Sequence, residues 1–217
     1  MINTNLELNI NTLKKYTIKM MERCENAVEK SVESLMKKDL NIAKTVIEED
    51  DEIDTLREYI RDRSIELIAL KQPMAKDLRY IYALGSIALE LERIGDYAVN
   101  ISSALLEIGD EPYIKDLVDI PKMGEGCINM IREAKKALLD DNEKLAYEVA
   151  LKDDSIDKLY AMIHEDSLEV MNNKKNTINQ GVRLLCIGRC LERIGDHTTN
   201  VCEMIIYAIN GNMVEIG

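Results

Sequence analysis

A ten-residue segment occurs twice in this chain, and the copies lie 100 residues apart. Residues 91–100 read LERIGDYAVN and residues 191–200 read LERIGDHTTN, so the first six positions are identical. An identity of this length at a domain-sized interval indicates an internal duplication. A chain of 217 residues with such a duplication is expected to fold as two similar halves of about 100 residues each.

The hydrophobic spacing predicts that both halves are helical. Apolar residues recur at intervals of three and four, which is the period of one helix face. The predicted helices cover 5–37, 41–71, 73–107, a segment that begins between 115 and 122 and ends near 139, 143–171 and 177–209. Asp39 is a candidate N-cap, and Gly109 and Gly211 are candidate stops. Pro73 and Pro121 suit the first turns of the third and fourth helices.

Short connections between the helices make neighbours antiparallel. The predicted fold class is therefore all-α, with two tandem antiparallel three-helix bundles related by internal duplication and six helices in total. The predicted domains are residues 1–109 and 115–217, and residues 108–116 contain the linker.

Pairs of carboxylates at i, i+4 recur on two helices of each half. Residues 50–54 read DDEID and residues 153–157 read DDSID, and both repeat copies contain the spacing ExxxD. On a helix this spacing places both side chains on one face. The acids concerned are Asp50, Asp54, Glu92 and Asp96 in the first half and Asp153, Asp157, Glu192 and Asp196 in the second.

The two acidic pairs of each hairpin lie symmetrically about its turn. Their midpoint is residue 73 in the first half, and it falls between residues 174 and 175 in the second. Since two antiparallel helices bring such positions side by side, we expect each set of four acids to form a cluster. Like charges at i, i+4 cost about 0.2–0.5 kcal/mol per pair, and a bound cation would remove that repulsion.

Clusters of oxygen ligands suit magnesium, calcium, manganese or ferric iron. Asn100 and Asn200 extend the stripe and could add carbonyl oxygens. The structural alternative is that Arg93, Arg193 and nearby lysines neutralise the acids as surface ion pairs. His197, which replaces Tyr97 of the first copy, is interpreted as a packing residue or else as a ligand.

Charge and cysteine usage limit the classes of partner and compartment. The net charge of −12 argues against nucleic acid and anionic lipid as main partners. The first residues show no signal peptide, and no apolar run approaches the roughly 18 residues of a membrane span. An odd number of cysteines without a CxxC pair indicates reduced thiols in the cytosol. The cysteines are Cys24, Cys127, Cys186, Cys190 and Cys202. A zinc site at Cys186, Cys190 and His197 is the less favoured alternative to buried structural thiols.

The two repeat copies, the two acidic segments and the triplet Asp77-Leu78-Arg79 resemble the PhoU family of phosphate-transport regulatory proteins. The resemblance covers essentially the whole chain. It implies a cytoplasmic, homodimeric protein without enzymatic activity that restrains phosphate uptake and the phosphate-starvation response. The implied partners are the ATPase of a phosphate ABC transporter and a membrane sensor histidine kinase, which would bring the protein to the inner face of the membrane.

The resemblance also implies metal ions on the E(D)xxxD motifs. Iron, zinc, manganese and magnesium are the candidates, and the eight acids named above are the matching positions. The alternative function is a carboxylate-bridged multi-metal phosphohydrolase, because clustered metals can activate water. Against an enzyme, the sequence shows no dedicated general base, no glycine-rich phosphate loop and no Glu-x-x-His pair of the kind used by ferritin-like oxidases.

Overall fold

The computed structural model describes residues 4–173 and 175–216. These residues form seven α-helices and one short 3₁₀-helix. The α-helices are α1 (Thr4–Lys37), α2 (Leu40–Lys71), α3 (Lys76–Ile108), α4 (Asp119–Leu139), α5 (Glu143–Ala150), α6 (Asp153–Asn173) and α7 (Ile178–Asn210), and the 3₁₀-helix is Lys175–Thr177. Met1–Asn3, where the sequence predicts no signal peptide, and Lys174, in the predicted turn, lie outside the described residues.

The six predicted helices are confirmed, but the fifth is divided by a tight turn at Leu151 and Lys152. The backbone N–H of Lys152 donates to Val149 O at 3.0 Å, which is a three-residue rather than a four-residue step. Ser155 then donates to Lys152 O from its N–H at 3.0 Å and from its hydroxyl at 2.6 Å. Asp153 opens α6 directly after this turn.

The helix ends follow the predicted chemistry except at the α2–α3 turn. The Asp39 carboxylate accepts from the N–H groups of Asn41 and Ile42 and caps α2. Gly109 and Gly211 end α3 and α7, and Pro121 lies in the first turn of α4. The placement of Pro73 in the first turn of α3 is wrong. Gln72 ends α2 in the left-handed conformation, and α3 begins only at Lys76, so Pro73 lies in the connection.

The repeat helices α3 and α7 pack against each other along the middle of the molecule. They are antiparallel, because Tyr82 near the start of α3 contacts Tyr207 near the end of α7, at 6.2 Å between ring centroids. At the other end, Arg183 Nη1 lies 2.7 Å from Glu107 Oε2. On their outer sides, α2 packs on α3, and α5 and α6 pack on α7.

Helices α1 and α4 lie behind this layer and contact each other, and each packs on the helices of its own half. The buried thiols of Cys24 on α1 and Cys127 on α4 donate to the carbonyl oxygens of Leu91 and Leu191, both at 3.2 Å. Identical contacts 100 or more residues apart show that the duplication extends to the core. The predicted all-α fold of two tandem three-helix bundles is thus confirmed. The domain boundaries at 109 and 115 stay a prediction.

Candidate metal centres

The glycine of each repeat allows an acidic side chain to lie against the helix that carries the repeat. A Cβ on Gly95 would lie 3.1 Å from Asp50 Oδ1, and a Cβ on Gly195 would lie 2.2 Å from Asp153 Oδ1. Any larger residue would therefore meet a carboxylate. This explains why glycine stands between the Glu and the Asp of each motif, and it sets the register of both hairpins.

The first cluster, defined as Asp50, Asp54, Glu92 and Asp96, lies between α2 and α3. Burial raises the pKa of Asp50 to about 6, and the charges of Asp54 and Asp96 add to this rise. Glu92 is also largely buried, and its Oε2 has no hydrogen-bond partner among the described residues. The four acids predicted from the first half are therefore neighbours, and their negative charges oppose one another.

Two arginines approach the first cluster from different helices. Arg93 on α3 places Nη1 3.0 Å from Asp96 Oδ2 and Nε 3.6 Å from Glu92 Oε2. Arg57 on α2 reaches across the hairpin and places Nε 3.7 Å from Glu92 Oε1. Neither distance to Glu92 is short enough for a hydrogen bond.

The second cluster, defined as Asp153, Asp157, Glu192 and Asp196, lies between α6 and α7. Oxygen atoms of Asp157, Glu192 and Asp196 lie within 4.8 Å of one another, close enough for three ligands of a single cation. Burial raises the pKa of Asp153 to about 7, with added contributions from Asp196, Asp157 and Glu192. Burial, followed by the charge of Asp196, also raises the pKa of Glu192.

The arginines of the second cluster both come from α7. Arg193 Nη1 lies 2.8 Å from Asp196 Oδ2, and Arg189 donates a hydrogen bond to Glu192. Asp153, Asp157 and Asp196 line a cavity of about 770 Å³. Its far wall is the C-terminal segment Met213–Ile216, which Glu203 holds by accepting from the N–H of Ile216 at 2.7 Å.

The ion-pair alternative accounts for only part of this charge. Across residues 4–173 and 175–216, ion pairs reach Glu92, Asp96, Glu192 and Asp196. No ion pair in the same ranges reaches the four acids of the outer helices, which are Asp50, Asp54, Asp153 and Asp157. Buried oxygens without a hydrogen-bond partner remain on Asp153 and Glu192. The oxygen-only donor set of the second cluster, in which three carboxylates converge, fits a hard cation.

A residue that the sequence did not single out, Glu90, decides the role of His197. Glu90 Oε2 lies 2.7 Å from His197 Nδ1 and accepts from Asn200 Nδ2 at 2.9 Å. Tyr97 lies 5.6 Å from the His197 ring. His197 is therefore a packing and hydrogen-bonding residue between the halves. Cys190 occupies the position of Glu90 in the second copy, so the duplication gave no signal for Glu90.

The alternative zinc site is not assembled. The group of metal-capable side chains found in the described part of the chain is Asp157, Glu192 and Asp196, and it includes neither Cys186, Cys190 nor His197. Cys186 is exposed and Cys190 is half-buried. The thiols of Cys24, Cys127 and Cys202 are buried, but the prediction of a buried structural thiol is wrong for Cys186, which lies on the solvent-facing side of α7.

Comparisons with known proteins agree with the fold and with the family resemblance. The family model described as "PhoU domain" matches residues 17–105 and 120–205. A phosphate-specific transport system accessory protein PhoU homolog of Clostridium acetobutylicum is 37% identical over 97% of this chain and 96% of its own length. The homolog of Aquifex aeolicus is 35% identical over 93% of this chain and 91% of its own length.

Solved structures are similar over the same range. The crystal structure of the phosphate transport system regulatory protein PhoU from Streptococcus pneumoniae has a TM-score of 0.90, with 25% identity, and the match covers 97% of this chain and 99% of that one. PhoU from Pseudomonas aeruginosa has a TM-score of 0.91, with 28% identity, over 95% and 99% of the two chains. With both halves matched by the family model, the chain belongs to the PhoU family.

Proposed function

We propose that this protein is a non-enzymatic regulator that restrains phosphate uptake and phosphate-starvation signalling. The observation that carries the proposal is the match of both halves to the PhoU domain model. Relatives that match nearly end to end are named phosphate-specific transport system accessory proteins. An accessory protein of a transport system has to contact the transport machinery, and the proposed contacts are the ATPase of a phosphate ABC transporter and a membrane sensor histidine kinase.

The proposed place of action is the cytoplasm, at the inner face of the membrane, with the protein as a homodimer. Within the described ranges, no helix combines the length and the apolar content needed to cross a bilayer. The net charge of −12 remains unfavourable for nucleic-acid binding. Membrane attachment through partners rather than through a spanning helix is the arrangement that we propose.

The two acidic clusters are proposed to hold metal ions. The ligands would be Asp50, Asp54, Glu92 and Asp96 at one site and Asp153, Asp157, Glu192 and Asp196 at the other. Carboxylate-only ligand sets favour magnesium, manganese or ferric iron, and zinc is less suited to them. When bound, a cation would neutralise the repulsion between α2 and α3 and between α6 and α7, and so tighten each hairpin.

The test of the regulatory role is a pull-down from membranes of the source organism. The full chain is expected to retain the transporter ATPase, and cells that lack the protein are expected to express phosphate-starvation genes in phosphate-rich medium. The proposal would be contradicted if the full chain retained no transport component and if cells that lack the protein still repressed phosphate-starvation genes in phosphate-rich medium. Metal-dependent turnover of a phosphoester, lost in Asp196→Asn, would favour the phosphohydrolase instead.

A further inference from the structure

The two clusters differ in the helix that supplies the second arginine. The acidic segments of α2 and α6 align at Asp54 and Asp157. Three residues further along each helix, Arg57 on α2 therefore corresponds to Tyr160 on α6. Conversely, Leu89 on α3 corresponds to Arg189 on α7. Each cluster therefore has two arginines, but they enter from different directions.

In the first cluster the arginine crosses the gap between the two helices. Arg57 starts from α2, one turn beyond Asp54, and its Nε lies 3.7 Å from Glu92 Oε1 on α3. Its side chain is only 26% exposed, and its Nε is buried without a hydrogen-bond partner among the described residues. The guanidinium is thus a fixed positive charge in the space between the acidic faces of α2 and α3.

In the second cluster that space is free of an arginine from the opposite helix. Arg189 and Arg193 share α7 with Glu192 and approach it along the helix surface. Arg189 is 44% exposed and lies over the Tyr160 ring, 5.8 Å from its centroid. Oxygens of Asp157, Glu192 and Asp196 converge across the gap, and no equivalent group is found in the described residues of the first half.

We propose that Arg57 acts as a built-in counter-ion that lowers the affinity of the first cluster for divalent cations, so that cations fill the second cluster first. This inference rests on the proposed metal-binding function of the clusters. A cation that enters the first cluster meets the charge of Arg57 at short range and has to displace it from Glu92. A cation that enters the second cluster meets three converging carboxylates. Its arginines, Arg189 and Arg193, reach Glu192 and Asp196 along α7 and not across the gap from α6. Arg57 is therefore a residue that sets affinity and not itself a ligand.

The test is a titration of the metal-free full chain with Mn²⁺, with free Mn²⁺ measured by electron paramagnetic resonance. The wild-type chain is expected to show two classes of sites, of which Asp196→Asn removes the tighter and Asp96→Asn the weaker. Arg57→Leu should tighten the weaker class by about tenfold, since the removed repulsion between nearby charges is of that order. Tyr160→Arg should weaken the tighter class by a similar factor.

Two controls separate charge from packing. Arg57→Lys keeps the positive charge and should retain most of the wild-type difference between the classes. Arg61→Leu removes an exposed arginine one turn further along α2, which pairs with Asp62 rather than with the cluster, and should change neither class. Folding of each variant is checked by helical circular dichroism.

The outcomes distinguish this inference from the function on which it rests. The role of Arg57 and the proposed metal-binding function are both overturned if the wild-type chain binds no Mn²⁺. They are also overturned if the Asp96→Asn/Asp196→Asn double variant binds Mn²⁺ as well as the wild type does. Binding that the double variant removes but that Arg57→Leu leaves unchanged overturns only the role of Arg57. If Asp96→Asn rather than Asp196→Asn removed the tighter class of sites, the order of filling would be the reverse of the proposed one, and the role of Arg57 would be overturned as well.

Discussion

The two hairpins of this protein share a motif, a register and a core contact, yet they do not form the same site. In both, a glycine lets an aspartate of the outer helix lie against the repeat helix, and a buried cysteine donates to the carbonyl oxygen of the residue before the motif glutamate. They differ in the arginines that balance the acids. Arg57 reaches across the first hairpin to Glu92, whereas Arg189 contacts Glu192 on its own helix in the second. Duplication has preserved the backbone and the acids, whereas the residues that balance the acids have diverged.

The surroundings of the clusters have diverged too. Asp50 lies inside the unbroken helix α2, whereas its counterpart Asp153 opens α6 after a turn. The chain after α7 folds back and forms a wall of the cavity beside the second cluster. After α3 the chain instead continues to α4, and Tyr113 donates to Leu35 O on α1. The second cluster is therefore the more enclosed, which agrees with the larger rise in pKa at Asp153 than at Asp50.

The largest expected difference concerns stabilisation by cations. Mn²⁺ at 100 times its dissociation constant should raise the free energy of unfolding by about 2.7 kcal/mol per site, because it binds only the folded chain. At concentrations that fill only the tighter site, Asp196→Asn should lose this gain and Asp96→Asn should keep it. Thermal denaturation measured by circular dichroism tests this. Glu165→Gln, an exposed change on α6 outside the cavity, is the control. If Mn²⁺ raised the free energy of unfolding equally in all three variants, the two clusters would not differ in their affinity for the cation.

Substitution of the motif glycines should affect stability unequally. A Cβ on Gly95 would lie 3.0 Å from Ile53 Cδ1, and this buried side chain has little freedom to move. We expect Gly95→Ala to cost about 1–3 kcal/mol, as overpacking usually does. In Gly195→Ala the close neighbour is the Asp153 carboxylate, which can turn outward, so the cost should be smaller while Mn²⁺ binding at the second cluster weakens.

Gly85→Ala on α3 is the matched control for these substitutions. Its nearest neighbour, the Ser64 hydroxyl oxygen, would lie at an ordinary 3.6 Å from the added Cβ. This change should stabilise the protein by about 0.5–1 kcal/mol, because alanine loses less backbone entropy than glycine in a helix. Urea denaturation of the metal-free chains measures all three. Stabilisation by Gly95→Ala would show that the hairpin is looser than described.

The pH dependence of stability should distinguish Asp153 from Asp50 in metal-free protein. A carboxylate whose pKa is raised on folding favours the folded state at low pH, and this contribution is lost as pH rises through the folded-state pKa. The loss should occur between about pH 4 and 7 for Asp153 and between about pH 4 and 6 for Asp50. Because solvent reaches part of the Asp153 carboxylate, we expect Asp153→Asn to gain about 1–2 kcal/mol at pH 8 and almost nothing at pH 4.

Chemical denaturation at several pH values, with a chelator present, measures these changes. Asp50→Asn should show the same trend with a smaller gain. A gain from Asp153→Asn that is as large at pH 4 as at pH 8 would show that charge repulsion is not its cause.

The smallest expected effect concerns the C-terminal segment. Glu203→Ala removes the acceptor of the Ile216 N–H and should cost about 0.5–1.5 kcal/mol, with faster hydrogen exchange at Ile216. Ser103, the residue at the matching position of the first half, offers the control Ser103→Ala, which should leave Ile216 exchange unchanged. Unchanged exchange in Glu203→Ala would mean that the segment is held by the burial of Ile216 alone.

Sequence reasoning predicted the parts of the molecule that periodicity and duplication determine. Apolar spacing gave the helices, and the symmetry of the acids about each turn placed all eight in two clusters. The break at Leu151 and Lys152 is a turn of the backbone, and the position of Pro73 follows the left-handed conformation of Gln72, so hydrophobic spacing carried no signal for either.

The counter-charges were predicted only in part. Arg93 and Arg193 belong to the repeat and were recognised as partners of the acids. Arg57, Arg189 and Glu90 occur in one copy only, and their roles arise from contacts between helices that spacing along one helix does not reveal. A comparison of the two halves position by position, with attention to charges present in one copy alone, is the signal that could have found them.

Anomalous scattering from a crystal of the full chain grown with Mn²⁺ tests whether the two helical hairpins gather their carboxylates into cation sites. Anomalous peaks are expected among Asp153, Asp157, Glu192 and Asp196 and, with lower occupancy, among Asp50, Asp54, Glu92 and Asp96. Saturating Mn²⁺ with no peak at either cluster would contradict this expectation.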